Sequence, residues 1–445
     1  MLRGAFCMEY AEHILEIISE IIWGYPVLIL MLGGGIYLSA RMGFPQIHLI
    51  RIFKSTFIAL FKKNGKSAGE NKGISQFQGF STALAATAGT GSIVGVGTAM
   101  ALGGAGAVFW MWISAFFGMT LSYTENILGV KYCRKTGISG AMSYMEKGLN
   151  SKWLAILFAV FCALASLGMG NMAQSNAIST SCKDAFSIPL PLTGVILTLL
   201  ILIIITGKDR LAGCTEKLVP FMALFYIIGS LIVIIKNHGL LSNAFSQIFS
   251  SAFSLKSAAG GGAGFAVKQA CIIGLRRGAF SNEAGLGSTV AVHASCRVKD
   301  PKTQGNWGMA EVFADTMILC TVTALVILVS GVEIGEGGPD MICSAFSTGL
   351  GSFGAVFMAI SMILFAFATI AGWFFIGQSA WKYIFPKSDL IYKAIFIFCV
   401  FAGSVSSLSL VWGISDIFNG LMALPNLTAV LLLSNEAVRE HRKNS

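Results

Sequence analysis

In Ala86-Thr87-Ala88-Gly89-Thr90-Gly91-Ser92, two glycines and three hydroxyls crowd seven residues of an otherwise apolar run. Glycine lets the backbone leave helical geometry at little steric cost. A helix interrupted here exposes N–H groups at the start of a half-helix, where the dipole favours an anion, and carbonyl oxygens that ligate a cation. A zwitterion travelling with a sodium ion meets both needs. The expected division puts the carboxylate on the N–H groups of Gly89 and Gly91 beside the Thr87 and Thr90 hydroxyls. The ion falls to the carbonyls of Ala86 and Ala88.

Other polar groups inside apolar runs extend this constellation. Asn171, Gln174 and Asn176 give one helix an unusual density of amides, and an amide bonds either end of an amino acid without carrying charge. Gln174 is the expected substrate ligand, with interhelical hydrogen bonding as the alternative for all three. Thr369 offers a hydroxyl to the sodium ion, and Trp373 closes over a small side chain. Ionisable residues within spans are functional suspects, here Glu125, Lys268, Glu311, Asp315 and Asp416. Asp315 and Lys268 read as buried, and Asp315 is expected to pair with Lys268 or a loop arginine. The run Arg276-Arg277-Gly278-Ala279-Phe280-Ser281-Asn282-Glu283 reads as a cytoplasmic gate in which Arg276, Arg277, Asn282 and Glu283 form breakable ion pairs; an ordinary basic anchor is the alternative.

These residues need spans to hold them. A hydrocarbon core about 30 Å thick takes roughly 20 apolar helical residues, and eleven runs qualify: 21–40, 76–102, 106–130, 153–181, 190–206, 216–235, 258–278, 307–331, 353–381, 391–409 and 413–434. Residues 46–61 read as an interfacial amphipathic helix. Of thirty-one Lys and Arg, twenty-six fall in alternate loops and the C-terminus, so the N-terminus is expected outside and the C-terminus in the cytoplasm. Glycine concentrates in the second span and in the seventh, which opens Ala259-Gly260-Gly261-Gly262-Ala263-Gly264 and ends at Gly274 and Gly278. These spans lie five helices apart, an odd number, so the second group of five enters the membrane in the opposite sense. Glycine-broken spans at matched positions of inverted halves point to a transporter's binding site, with Gly274 as partner to the first break and glycine for close helix packing as the alternative. The expected division is 1–75 (outside N-terminus, extra helix and amphipathic helix), 76–235 and 236–434 (the two five-helix repeats), and 435–445 (cytoplasmic tail).

Composition agrees. A soluble domain carries about a quarter charged residues, against 12% here with 55% hydrophobic. The net charge of +10 is dispersed between apolar runs, which excludes nucleic acid as a partner. The ten cysteines form no C-x-x-C and read as packing residues without a metal or disulfide role. His13, His48, His238, His293 and His441 are scattered, with no clustered acid-base set for an enzyme. Glu9, Glu12, Glu16 and Glu20 precede the first run, unlike a basic signal-peptide start.

The run GTGSIVGVGTAMALGGAGAVFWMW, the run RRGAFSNEAGLGS with His293 after it, and Asp315-Thr316 resemble the alanine or glycine:cation symporter family over residues 76–434. The resemblance implies an all-α leucine-transporter fold, ten core helices in two inverted halves plus one N-terminal helix, with sodium coupling and alanine or glycine as substrate. It places Thr87 to Gly91, Gln174, Ile273, Gly274 and Trp373 in the pocket and Thr369 on sodium. Ala368 stands where the family often has serine, and Lys268 where small or apolar residues are usual. The expected protein is a cell-membrane carrier with no cofactor beyond the co-transported ion. Alternatives are a uniporter or channel, a carrier of another amino acid such as glutamine, or a proton-driven one.

Overall fold

A computed structural model of the chain describes residues 14, 15, 17–49, 73–207, 210–253, 262–298, 300–335, 338–406 and 408–443. Among them every regular element is helical, and one isolated bridge joins Ile74 to Cys296. In a bilayer the helix satisfies its own backbone, so apolar runs of this length have no competing structure.

The first helix, α1 (Tyr25–Met42), stops at Gly43, whose φ of 70° is left-handed. Ser75 opens α2 (Gln76–Thr87) with a capping box, its Oγ accepting from Gln78 N–H while the Gln78 side chain accepts from Ser75 N–H. After the break comes a π-helical stretch, Gly91–Gly95, and then α3 (Val96–Gly103). The two halves meet at 51°. Next come α4 (Gly106–Thr136), the short α5 (Met142–Gly148), and α6 (Lys152–Leu167), which passes through a π-helical turn at Gly168–Met172 into α7 (Ala173–Phe186). Then α8 (Leu190–Ile205), α9 (Arg210–Lys236) and α10 (Leu241–Phe253) lead to α11 (Gly262–Asn282), a coil, and α12 (Val290–Ala294). A third π-helical stretch, Phe313–Cys320, joins α13 (Pro301–Val312) to α14 (Thr321–Ser330). The chain closes with α15 (Gly338–Leu350), α16 (Phe353–Ile384), α17 (Asp389–Val405), α18 (Leu408–Leu432) and α19 (Ser434–Arg442).

Helices stand at each of the eleven expected places. Seven are long and apolar enough to cross a membrane alone, and the bent pair α2 and α3 makes an eighth. The expected amphipathic helix at 46–61 falls almost wholly outside the described residues; Pro45–His48 form one tight turn that buries Gln46. Residues 259–261 of the second glycine cluster also lie outside them. The end of the chain is ordered: α19 packs on α4, where Lys131 pairs with Glu436 at 2.7 Å.

Without a hydrophobic force between helices in lipid, close packing of small residues draws them together. A Cβ on Gly372 of α16 would stand 2.7 Å from the Ala86 nitrogen, so α16 lies directly against the end of α2. The helix α4 is the other organiser, packed on α11 and α13.

Candidate functional site

The first break is narrow. Ala88 leaves helical geometry at φ −75° and ψ 73°. Its freed groups find side chains: Thr90 N–H donates to Gln174 Oε1 at 3.4 Å, while Gln174 Nε2 donates to Thr90 Oγ1 at 3.1 Å. The Thr369 hydroxyl reaches the Ala85 carbonyl at 2.8 Å. A Cβ on Gly89 would fall 2.5 Å from Thr369 Oγ1 and 3.3 Å from Gln174 Oε1, so glycine is required by close approach. Thr87, Gly89, Thr90, Gln174 and Thr369 thus come together.

The second break lies elsewhere than the glycines of the seventh span indicate. The helix α11 runs unbroken through Ile273 and Gly274 to Asn282, and the coil covers 283–289. Glu283 takes a left-handed φ of 54°, followed by Gly285 at 89° and Gly287 at 74°. The N–H of Ala284 donates to Asn282 Oδ1 at 3.1 Å, and Asn426 of α18 donates through Nδ2 to the Gly285 carbonyl at 2.9 Å and to Glu125 at 2.5 Å. Tyr144 donates to the Asn426 amide oxygen. Glu283 accepts from Ser288 and, at 3.2 Å, from the Trp373 indole.

Asp315 joins the two breaks. Fully buried, it accepts from Ser92 at 2.5 Å, Ser281 at 2.8 Å and Thr316 at 2.9 Å. A Cβ on Gly91 would stand 3.3 Å from Ser281 Cα, so the two broken spans touch at this carboxylate. All three π-helical stretches are here: one carries Ser92, one carries Asp315, and the third holds Gly170 against Trp373, where a Cβ would be 2.3 Å from the Trp373 Cβ. Such wide turns inside α-helices frequently mark functional sites.

A cavity of about 250 Å³ reaches the first break, with buried Thr90 at one end and exposed Asp184 and Asp340 at the other. Its walls include Asn176, Thr180 and Ser181 of α7 and Met358 and Met362 of α16. Asn176 is held through Nδ2 by the carbonyls of Gly403 and Ser406, leaving its Oδ1 without a protein donor.

The sodium:alanine symporter family model matches residues 8–444. The chain belongs to that family. The sodium/alanine symporter AgcS of Methanococcus maripaludis is 38% identical over 438 residues, covering 95% of each chain. The probable sodium/glutamine symporter GlnT of Bacillus subtilis is 36% identical over 434 residues, 96% of this chain and 89% of its own. Among solved structures, MhsT in complex with L-phenylalanine superposes with a TM-score of 0.59 at 12% identity, covering 83% of this chain and 98% of that one. The protein therefore has the leucine-transporter fold and belongs to the cation-coupled amino acid symporters; it is a transporter, not an enzyme.

Several expected roles change in this symporter. Gly274 is a packing glycine: a Cβ there would lie 2.4 Å from the Ala107 carbonyl, against α4. Ile273 is buried beside it in the apolar core. The expected gate residues find separate partners, because α11 holds Arg276, Arg277 and Asn282 while Glu283 opens the break. Arg276 pairs with Asp416 of α18 at 2.6 Å and also bonds Ser19; Asn282 bonds Thr316, and Glu283 bonds Ser288 and Trp373. Arg277 stacks over Phe280 at 5.8 Å. Lys268 is exposed, over the Tyr25 ring at 5.8 Å, and Asp315 binds hydroxyls in its place. His293 is fully buried rather than in a loop. Asn426, Thr180 and Ser181 went unrecognised in the sequence, although Asn176, Thr180 and Asp184 repeat every four residues along one face of α7.

Proposed function

We propose that this chain carries a small neutral amino acid, alanine or glycine, into the cell together with sodium by alternating access. The N-terminus is then outside, the C-terminus cytoplasmic, and 76–235 and 236–434 are the inverted halves. The observation that carries this reading is the contact of two broken spans at buried Asp315, beside the buried end of a cavity. The half-helix beginning at Thr90 presents its positive end to a carboxylate. The carbonyls of Ala86 and Ala88 with the Thr369 hydroxyl supply oxygens for sodium, although that hydroxyl bonds the Ala85 carbonyl in this arrangement. Asp315, lined by hydroxyls, meets positive charge at the junction.

The polar wall at Asn176, Thr180 and Ser181 supports a second reading in which glutamine is carried, the substrate in the name of one relative. One methylene in a pocket is worth only about 1–3 kcal/mol, so substrates must be compared directly. Uptake of labelled alanine, glycine, serine, glutamine and D-alanine into proteoliposomes, with and without a sodium gradient, is the test. Sodium-stimulated, saturable uptake of alanine or glycine with counterflow is expected. Non-saturating flux without trans-stimulation would mean a channel, and uptake indifferent to sodium would defeat the symport reading.

A further inference from the structure

Four carboxylates are buried around the two breaks: Glu125, Glu283, Glu311 and Asp315, each 2% exposed or less. Three are met by amide, indole or hydroxyl donors, as described above. Glu311 instead meets an imidazole. His293, with no exposed surface, places Nε2 2.9 Å from Glu311 Oε2 and Nδ1 2.7 Å from Gln304 Oε1. With the Gln304 amide placed oxygen-first toward the ring, Nδ1 carries a hydrogen, and a carboxylate oxygen only accepts unless protonated. The Nε2 contact is therefore closed by one further proton, held by the ring or by the acid. With it the pair is uncharged overall, where Glu125, Glu283 and Asp315 all lie within electrostatic reach of Glu311.

The pair sits where the carrier has to move. His293 on α12 and Glu311 on α13 join two elements that both pack on α2, which packs on α9 and α16 as well. The start of α2 is tied to the same unit, since Arg297 N–H donates to the Ile74 carbonyl at 3.0 Å. The hydroxyls of Thr87, at the end of α2, and of Thr289 stand beside Glu311, whose Oε1 has no direct hydrogen-bond partner. Among the described residues the acids Glu125, Glu283 and Asp315 also act on Glu311. The helix α16, packed on α12, brings Trp373 to Glu283, and α19, packed on α13, brings His441, which bonds the Tyr123 hydroxyl.

We propose that His293 and Glu311 form a proton-binding site, loaded while the side opposite the cavity is closed and unloaded when α2 swings away from α12 and α13. The proposal rests on the alternating-access reading. Opening wets the pair, water then supplies the hydrogen bonds that the buried contact took from the shared proton, and the proton leaves to solvent. By linkage, the closed arrangement, which binds the proton more tightly, gains as pH falls. Acid on that side therefore slows the step that delivers substrate.

The test varies the pH on the delivery side of sodium-loaded proteoliposomes with the pH on the cavity side held constant. Wild-type alanine uptake should fall as the delivery side is acidified, with a limiting slope of about tenfold per pH unit for one proton. Glu311→Gln removes the acid that the proton bridges, so uptake should no longer fall when the delivery side is acidified. A Glu311→Gln profile parallel to wild type overturns the proposal. Magnetic resonance of isotope-labelled imidazole nitrogens, with His293→Gln as the blank, reads the site without transport. A shared proton between His293 and Glu311 supports it, and a neutral His293 beside an ionised carboxylate overturns it. Should no sodium-dependent uptake occur at any pH, the carrier reading fails, while the resonance measurement still decides whether the proton is there.

Discussion

At the first interruption only Ala88 and Gly89 leave the helix, and the gap is closed by one amide, Gln174, and one hydroxyl, Thr369. At the second, seven residues from 283 to 289 run as coil, and the Trp373 indole and Asn426 from distant helices hold them. The short break is built on close approach, where a single missing Cβ is the device. The long one is built on positive-φ backbone and polar partners. Asp315, touching Ser92 from one and Ser281 from the other, makes them one site despite this difference.

Removing the shared group should do most damage. Asp315→Ala deprives three buried hydroxyls of their acceptor, at about 1–3 kcal/mol each, and sodium-dependent uptake should be abolished while Asp315→Asn retains a measurable fraction. Gly89→Ala comes next: its Cβ, 2.5 Å from Thr369 Oγ1, forces the first break apart, and the substrate concentration for half-maximal uptake should rise more than tenfold. At the second break Gly287→Ala strains a left-handed residue by about 1–2 kcal/mol and meets Asn426 Oδ1 at 2.5 Å. A lower melting temperature in detergent with reduced uptake is expected; an unchanged melting curve would show that this coil does not depend on its conformation. Lys268→Ala should leave uptake within about twofold, because an exposed side chain away from both breaks contributes within about 0.5 kcal/mol. A large loss there would return Lys268 to the site.

The contrast also explains what could be read from the chain. The first break was legible because its glycines and hydroxyls are contiguous, and the all-helical membrane architecture followed from the length of the apolar runs. Gly274 misled, since a glycine that admits Ala107 and Trp110 of a neighbouring helix has the same signature as one that bends the backbone. Glu283-Ala284-Gly285-Leu286-Gly287 looked like a charged loop because the partners that make its burial tolerable, Asn426, Glu125 and Trp373, lie far away in sequence. Asp315 was singled out as a buried acid, but the hydroxyls it serves come from two other spans.

The claim that both breaks form one site is tested most directly by a double-mutant cycle on sodium-dependent alanine uptake with Ser92→Ala and Ser281→Ala. Residues sharing one hydrogen-bond network couple by about 0.5–3 kcal/mol, so the double variant should differ clearly from the product of the single effects. Strictly additive losses would mean that the two broken spans act separately.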